Sequence, residues 1–371
     1  MDALENSHPI EVALRDASEI SQVFDKITYC KGASVIYMLH QFMGPERFKM
    51  GIREYISNFS YGNANSDDLW HFLSQSCEWL DVRSLMDCWI KERNYPVVYV
   101  KVDNNTPADQ IMRDFDDSDG KVRLKFYQQR FSGGERKRKG REEEMLWNIP
   151  IQGIYMNDVE KLEKFEFLMD KKTATIELEG IDLNDPHCWI KINPGLTGFY
   201  RVHYSEQLFD KLFASLSNTN LTAIDRMGLF DDQVAMVQTE TGSTVRLLQM
   251  AKHFSQYERS YTVWRAVISI LHLIRSLTWN DSDQLADKID LFCISILKVG
   301  FIQDVLSISF HFISISSLFL TSWDFKGEAA VSPTVISNVD PLFLATWQHW
   351  ARPRCSAQLK NSFKDISKAH N

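Results

Sequence analysis

SEISQVFDKITYCKGASVIYMLHQFM, residues 18–43, sets the frame for the rest of the chain. Ser18 can cap a first turn, and Ile20, Phe24 and Ile27 then recur at i, i+4 and i+7. Val35, Met38, Leu39 and Phe42 continue the apolar stripe, so the spacing predicts one long, well-buried helix. Tyr29 lies in its middle, followed by Cys30, Lys31 and the small pair Gly32 and Ala33. Glycine inside a helix costs about 1 kcal/mol against alanine, so Gly32 predicts a close approach by backbone or ligand. On the residues alone, Tyr29 reads as a core tyrosine whose hydroxyl finds a hydrogen-bond partner.

Further helices come next. Gly44 and Pro45 punctuate the chain, and Pro45 suits a first helical position. Phe48, Ile52, Ile56 and Phe59 mark the expected buried stripe of a second helix. A third opens at Ser66 as cap, with Asp67 and Asp68 at the positive end of its dipole and Leu69, Phe72, Leu73 and Leu80 as its apolar face. A fourth runs through Leu85, Met86 and Trp89.

Asn94, Tyr95 and Pro96 break the helical pattern, and the period changes to 2. Val98, Val100 and Val102 alternate, as do Val122, Leu124 and Phe126. Further strand-like runs are WNIPIQGIYM, KFEFLMD, ATIELEG, WIKIN and GFYRVHY, the last two joined by Asn193, Pro194 and Gly195. Short strands separated by turn signals predict a small β-sandwich over 94–204. GGERKRKGREEE (133–144) reads as a solvated loop, because its four glutamates offset its basic run. From Gln207 the period is helical again, in successive segments with short connections, which predicts stacked helical hairpins without a strict repeat.

The 371 residues leave room for two or three domains, and 44% hydrophobic with 24% charged residues is the balance of a folded soluble protein. A net charge of −8 gives no electrostatic reason to expect nucleic acid. Six scattered cysteines without a CxxC pair favour reduced thiols and a cytoplasmic setting over a disulfide framework. The first residues, MDALENSHPIEVALRD, show no apolar secretory core. VLSISFHFISISSLFLTSW (305–323) is a 19-residue run without charge, yet its six serines and His311 argue against a membrane span. The tail, with Pro333, Pro341 and Pro353, shows no helical pattern.

FDKITYCKGASVIYML resembles the segment around the transition-state tyrosine of the zinc aminopeptidases that remove single residues from peptide N-termini, the cytosolic puromycin-sensitive branch above all. The family tyrosine falls on Tyr29, and its Lys-Gly-Ala on Lys31, Gly32 and Ala33. HPIE (8–11), SYGNANSDDLW, MDCWIKERNYPVVYV, CWIKINPGLTGFYRVHYSEQL, DRMGLFDDQ and YTVW carry the resemblance in the family's order from residue 8 to 298, and SWDFKGE (322–328) resumes it, so the apolar run reads as inserted. The resemblance implies a multidomain α+β chain: a helical remnant of a metallopeptidase catalytic domain at 1–93, the β-sandwich at 94–204, and an α-helical solenoid at 205–371 with an atypical apolar run at 300–323. It implies that Tyr29 donates a hydrogen bond to the oxyanion of a tetrahedral intermediate, and that the family's cofactor is zinc and its partners peptide substrates.

The metal half of that chemistry is not legible. A zinc held by two histidines one turn apart, with a glutamate between them as general base, is the family's HExxH arrangement. The ten histidines here include no i, i+4 pair, and no Met-Glu-Asn matches the family's amine-binding GxMEN pattern. Those parts are expected upstream of Met1, so no zinc is expected on this chain and it is expected to be inactive alone. Helices 18–93 would then leave apolar stripes in water, or covered by a partner. His8 reads as a solvated loop histidine, Cys30 as an inert core cysteine rather than a thiol activated by Lys31, and Cys188 with His203 as too few ligands for a metal. The alternative to a truncated enzyme is a non-catalytic module that binds peptides or a partner on the solenoid's concave surface.

Overall fold

A computed structural model describes residues 2–3, 7–12, 16, 19, 23–103, 121–132, 145–157, 159–217, 220–278 and 283–302. Its helices and two small sheets make a mixed α+β chain. The chain divides into two compact units between Asp225 and Arg226.

The first unit opens with a π-helical turn, Ile27–Lys31, that runs straight into α1 (Gly32–Met43). The single helix expected over 18–43 is therefore corrected to a later start; Ser18 and Ile20 lie outside the described residues. The cause is Asp25, whose carboxylate accepts the N–H groups of Ile27 and Thr28 at 2.9 Å each and so begins the helix there. Ile27, Val35, Met38, Leu39 and Phe42 are buried as the periodicity requires, whereas Phe24 is 63% exposed. Gly32 makes no close approach among the described residues: beyond its chain neighbours and its own helix backbone, nothing there lies within 4 Å of where its Cβ would sit.

Gly44, at φ +86°, ends α1 in a conformation open to glycine, and Pro45 starts α2 (Pro45–Asn58). The close approach falls at Gly51, where a Cβ would meet Leu73 Cδ2 and Ser76 Oγ at 2.8 Å. That brings α2 onto α3 (Ser66–Gln75). The stripe expected to bury α2 is only half covered: Phe48, Ile52 and Phe59 are intermediate and Ile56 is 59% exposed. The cap of α3 is Asn65 rather than Ser66, in a reciprocal pair of hydrogen bonds with Asp68. Asp81 caps α4 (Val82–Ile90), which buries Val82, Leu85, Met86 and Trp89.

Seven strands come after α4: β1 (Pro96–Val102), β2 (Lys121–Arg130), β3 (Ile149–Met156), β4 (Leu162–Met169), β5 (Thr173–Glu179), β6 (Trp189–Ile192) and β7 (Arg201–Tyr204). One sheet has the order β5-β2-β1-β7, with β1 and β7 parallel and the other pairs antiparallel; the second is β4-β3-β6, antiparallel throughout. Phe126 of one sheet meets Phe167 of the other with ring centroids 5.2 Å apart. The Asn193-Pro194-Gly195 turn therefore passes the chain from one sheet to the other instead of closing a hairpin. Asn193 (φ +58°) and Gly195 (φ +67°) make the bend, Asn193 holds Gly198 through both its amide and its carbonyl, and the Gly195 N–H donates to Asp225 at 2.7 Å. α5 (Glu206–Ala214) packs against β6.

α6 (Ala223–Gln238) carries the chain into the second unit, which continues with α7 (Thr244–Tyr257), α8 (Tyr261–Thr278) and α9 (Asp283–Ile302). Within it α9 packs on α7 and α8, and Arg275 of α8 meets Asp290 of α9 at 2.9 Å. Glu258, fully buried, holds Arg226 through both oxygens at 2.6 and 3.0 Å and accepts the N–H groups of Arg259 and Ser260 ahead of α8. Residues 133–144, residues 303–323 of the apolar run and the tail lie outside the described residues. Among the described residues no helix is long and apolar enough to cross a membrane.

Candidate active site

Tyr29 stands on the π-helical turn with its side chain turned outward, 61% exposed, its ring 6.2 Å from that of Phe24. Among the described residues the phenol is not sealed in packing. Single π turns recur where a helix must aim a side chain at a functional site, because the extra residue rotates the side chains beyond it.

Two anchors hold this turn. On one side, Lys31 is buried, and its ammonium donates to the backbone carbonyls of Glu92 (3.1 Å) and Asn94 (2.9 Å) and pairs with Asp2 at 3.1 Å. Asp2 in turn accepts from Asn94 N–H at 2.9 Å and from Ser7 Oγ at 2.6 Å, while the Asn94 side-chain amide donates to the Asp2 carbonyl. Burial pulls the Lys31 ammonium below its ordinary pKa, with Asp2 opposing that pull. The Lys31 ammonium also lies 6.0 Å from the Phe199 ring centroid. Lys31 thus ties the turn to the junction between α4 and β1.

On the other side is Asp25. One of its oxygens caps Ile27 and Thr28, and the other receives His8 Nε2 at 2.9 Å. His8 is half-buried, which corrects the expectation of a solvated loop histidine; its Nδ1 faces the Pro9 carbonyl at 2.7 Å. That carbonyl above all, with Asp25 assisting and burial opposing, raises the His8 pKa above 6.5. Burial pushes Asp25 upward, but the Thr28 N–H, His8 and the Ile27 N–H outweigh it and leave its pKa below 3.8.

Cys30 is exposed, so the expectation of a core cysteine is also corrected: Lys31 takes the inward position and Cys30 the outward one beside it. Cys188 is buried, and the His203 ring packs on Tyr99 with centroids 5.1 Å apart. Among the described residues, no three His, Cys, Asp or Glu side chains gather closely enough to hold a metal ion. His8 has both ring nitrogens committed to Pro9 and Asp25. The described residues therefore do not fit a catalytic zinc. Sequence reasoning passed over Asp25, Asp2 and the role of His8; an Asp two residues ahead of the first helical amide was the available signal for Asp25.

Residues 1–89 match the peptidase family M1 domain, and residues 189–302 the ERAP1-like C-terminal domain. The chain thus carries, in order, segments similar to a peptidase family M1 domain and to an ERAP1-like C-terminal domain. Among its relatives are Aminopeptidase M1 of Arabidopsis thaliana, 33% identical over 308 residues, and the Puromycin-sensitive aminopeptidase of Caenorhabditis elegans, 33% identical over 273. The alignments cover 80% and 72% of this chain but 32% and 26% of those proteins. Aminopeptidase 2, mitochondrial, of Saccharomyces cerevisiae is 30% identical over 292 residues, covering 79% of this chain and 27% of its own length. The chain thus spans about a third or less of the length of these curated relatives.

Proposed function

We propose that this chain supplies the tyrosine-bearing part of a zinc-dependent aminopeptidase that removes N-terminal residues from peptides, with Tyr29 as the hydrogen-bond donor to the oxyanion. The observation that carries this is the outward phenol of Tyr29 on a turn whose neighbours on both sides are anchored. A phenol O–H aimed at an oxygen that gains negative charge lowers the barrier without itself changing covalently, and removing one such donor typically costs roughly a hundred- to a thousandfold in rate. The space a side chain would fill at Gly32, one turn on, is open. One donor cannot replace the metal and base that generate a nucleophile. On its own, then, the chain neither holds catalytic zinc nor cleaves peptides.

In this reading residues 1–93 are the end of the catalytic domain, 94–204 a β-sandwich and 205–371 part of a helical solenoid. The Phe126–Phe167 contact between the sheets supports the sandwich. The packing of α9 on α7 and α8 supports the stacked helices. Among the described residues Cys30, Cys77, Cys88, Cys188 and Cys293 form no disulfide, which supports a reducing, cytoplasmic setting. A second reading, a module that binds a partner without catalysis, rests on exposed apolar side chains of the first unit, such as Ile56 of α2 and Trp79 between α3 and α4.

Two measurements test the proposal. Purified chain should carry no stoichiometric zinc by native mass spectrometry and should not hydrolyse an aminoacyl-anilide; one zinc per chain with chelator-sensitive turnover overturns the claim of inactivity. In a longer chain that contains these residues together with a zinc motif, Tyr29→Phe should lower kcat far more than it changes KM. An unchanged kcat removes the oxyanion role.

A further inference from the structure

Among the described residues, His8 contacts two hydrogen-bond acceptors and no donor: the Pro9 carbonyl at Nδ1, 2.7 Å, and the Asp25 carboxylate at Nε2, 2.9 Å. A neutral imidazole carries one N–H and can satisfy one of these; the imidazolium satisfies both. The same Asp25 caps Ile27 and Thr28 through its other oxygen, and the Asp25 carbonyl accepts the Tyr29 N–H at 3.1 Å. His8, Asp25 and the turn that carries Tyr29 are therefore one connected set of hydrogen bonds, with His8 and Asp25 17 positions apart in the chain.

We propose that His8, as an imidazolium, is a positioning residue for Tyr29: it fixes the Asp25 cap, and through it the orientation of the π-helical turn, and releases that turn when it loses its proton. The proposal rests on the reading of Tyr29 as the functional side chain of this turn. The acids facing the imidazole are Asp25 and Asp2, the latter acting through its charge and itself engaged by Lys31 at 3.1 Å. The sign follows from both groups. The His8 contribution is full below pH 6.5 and fades as pH rises through its raised pKa; the Asp25 contribution is full above pH 3.8 and fades as pH falls through its lowered one. The turn is held best between those limits.

The test is amide hydrogen exchange of the full chain, read at Ile27, Thr28 and Tyr29 by fragmentation mass spectrometry from about pH 5.5 to about pH 8.5, the range in which a histidine titrates. After correction for intrinsic exchange, protection at these amides should fall about two- to tenfold with rising pH, the change that corresponds to one hydrogen bond of ordinary strength. His8→Gln, which can donate to Asp25 but cannot titrate, should remove the pH dependence. Asp25→Asn, which keeps a capping oxygen but not its charge, should remove it too. Tyr29→Phe should leave protection and its profile unchanged. Protection that does not vary with pH in the unsubstituted chain overturns the proposal, as does a pH dependence that survives His8→Gln. A change shared equally by α3 also overturns it, because the pair would then support the fold at large. Failure here leaves the oxyanion role standing, since that role is read separately by the Tyr29→Phe kinetics.

Discussion

Replacing Lys31 by methionine separates the anchoring of the tyrosine turn from simple burial. Methionine keeps most of the side-chain volume, so little cavity cost is expected. What is lost is the ammonium, with its bonds to Glu92 and Asn94 carbonyls at 3.1 and 2.9 Å and its pairing with Asp2 at 3.1 Å. Both charged side chains are buried, Lys31 at 1% and Asp2 at 8% exposure, so solvent screening does not reduce the effect much. Removing one partner of such a pair costs about 3–5 kcal/mol, chiefly by stranding the other charge. With a urea slope of about 2 kcal/mol per molar, the unfolding midpoint of the first unit should fall by about 1.5–2.5 M. Burial already disfavours the Lys31 charge, so the pair itself contributes little net stability. Lys31→Met combined with Asp2→Asn should therefore recover at least half of the loss. Urea titration followed by the fluorescence of the buried tryptophans of this unit measures both. A midpoint shift under about 0.5 M for Lys31→Met, or a double variant no better than the single one, refutes the reasoning.

Two further outcomes are expected. Gly51→Ala gains up to about 1 kcal/mol of helix propensity, yet its Cβ would stand 3.0 Å from Leu73 Cα, a backbone atom that cannot swing aside. Pushing α2 off α3 costs about 1–3 kcal/mol, so the variant should be less stable than the parent in the same urea titration. The chain should also bind the dye ANS at neutral pH, through Phe24, Ile56 and Trp79, all more than half exposed. A monomer in sedimentation with no dye fluorescence contradicts this.

β2 was legible because its period of 2 matched its burial: less covered positions alternate with buried ones from Lys121 to Gln128, with Val122, Leu124 and Phe126 inward. What periodicity could not show was which sheet each strand joins. β6 and β7 are close neighbours in sequence, yet Tyr204 reaches from one sheet to accept the Ile192 N–H of the other at 2.8 Å. The helix start was misplaced for a related reason. Apolar spacing from Ile20 to Ile27 is a statement about faces, whereas the onset is decided by which side chain takes the first free amides, and Asp25 does so. The buried charge of Lys31 was likewise invisible, because its partners come from residues 2, 92 and 94, distant in sequence.

The resemblance suggests a role for Tyr29, and the geometry leaves its side chain exposed. A tyrosine retained for packing would be expected to lie inward and leave the surface to a charged neighbour. Here the order is reversed: the lysine two residues on goes into the core, at the cost of its hydration, and the phenol faces out. Burying an ammonium in order to leave an aromatic ring in water is unfavourable for folding taken alone. It makes physical sense if the turn's orientation serves something that approaches from outside. A peptide carbonyl at the moment its oxygen becomes anionic meets that requirement, and so does a partner surface. Only the first makes the hydroxyl, rather than the ring, the group that matters, which is why Tyr29→Phe discriminates between them.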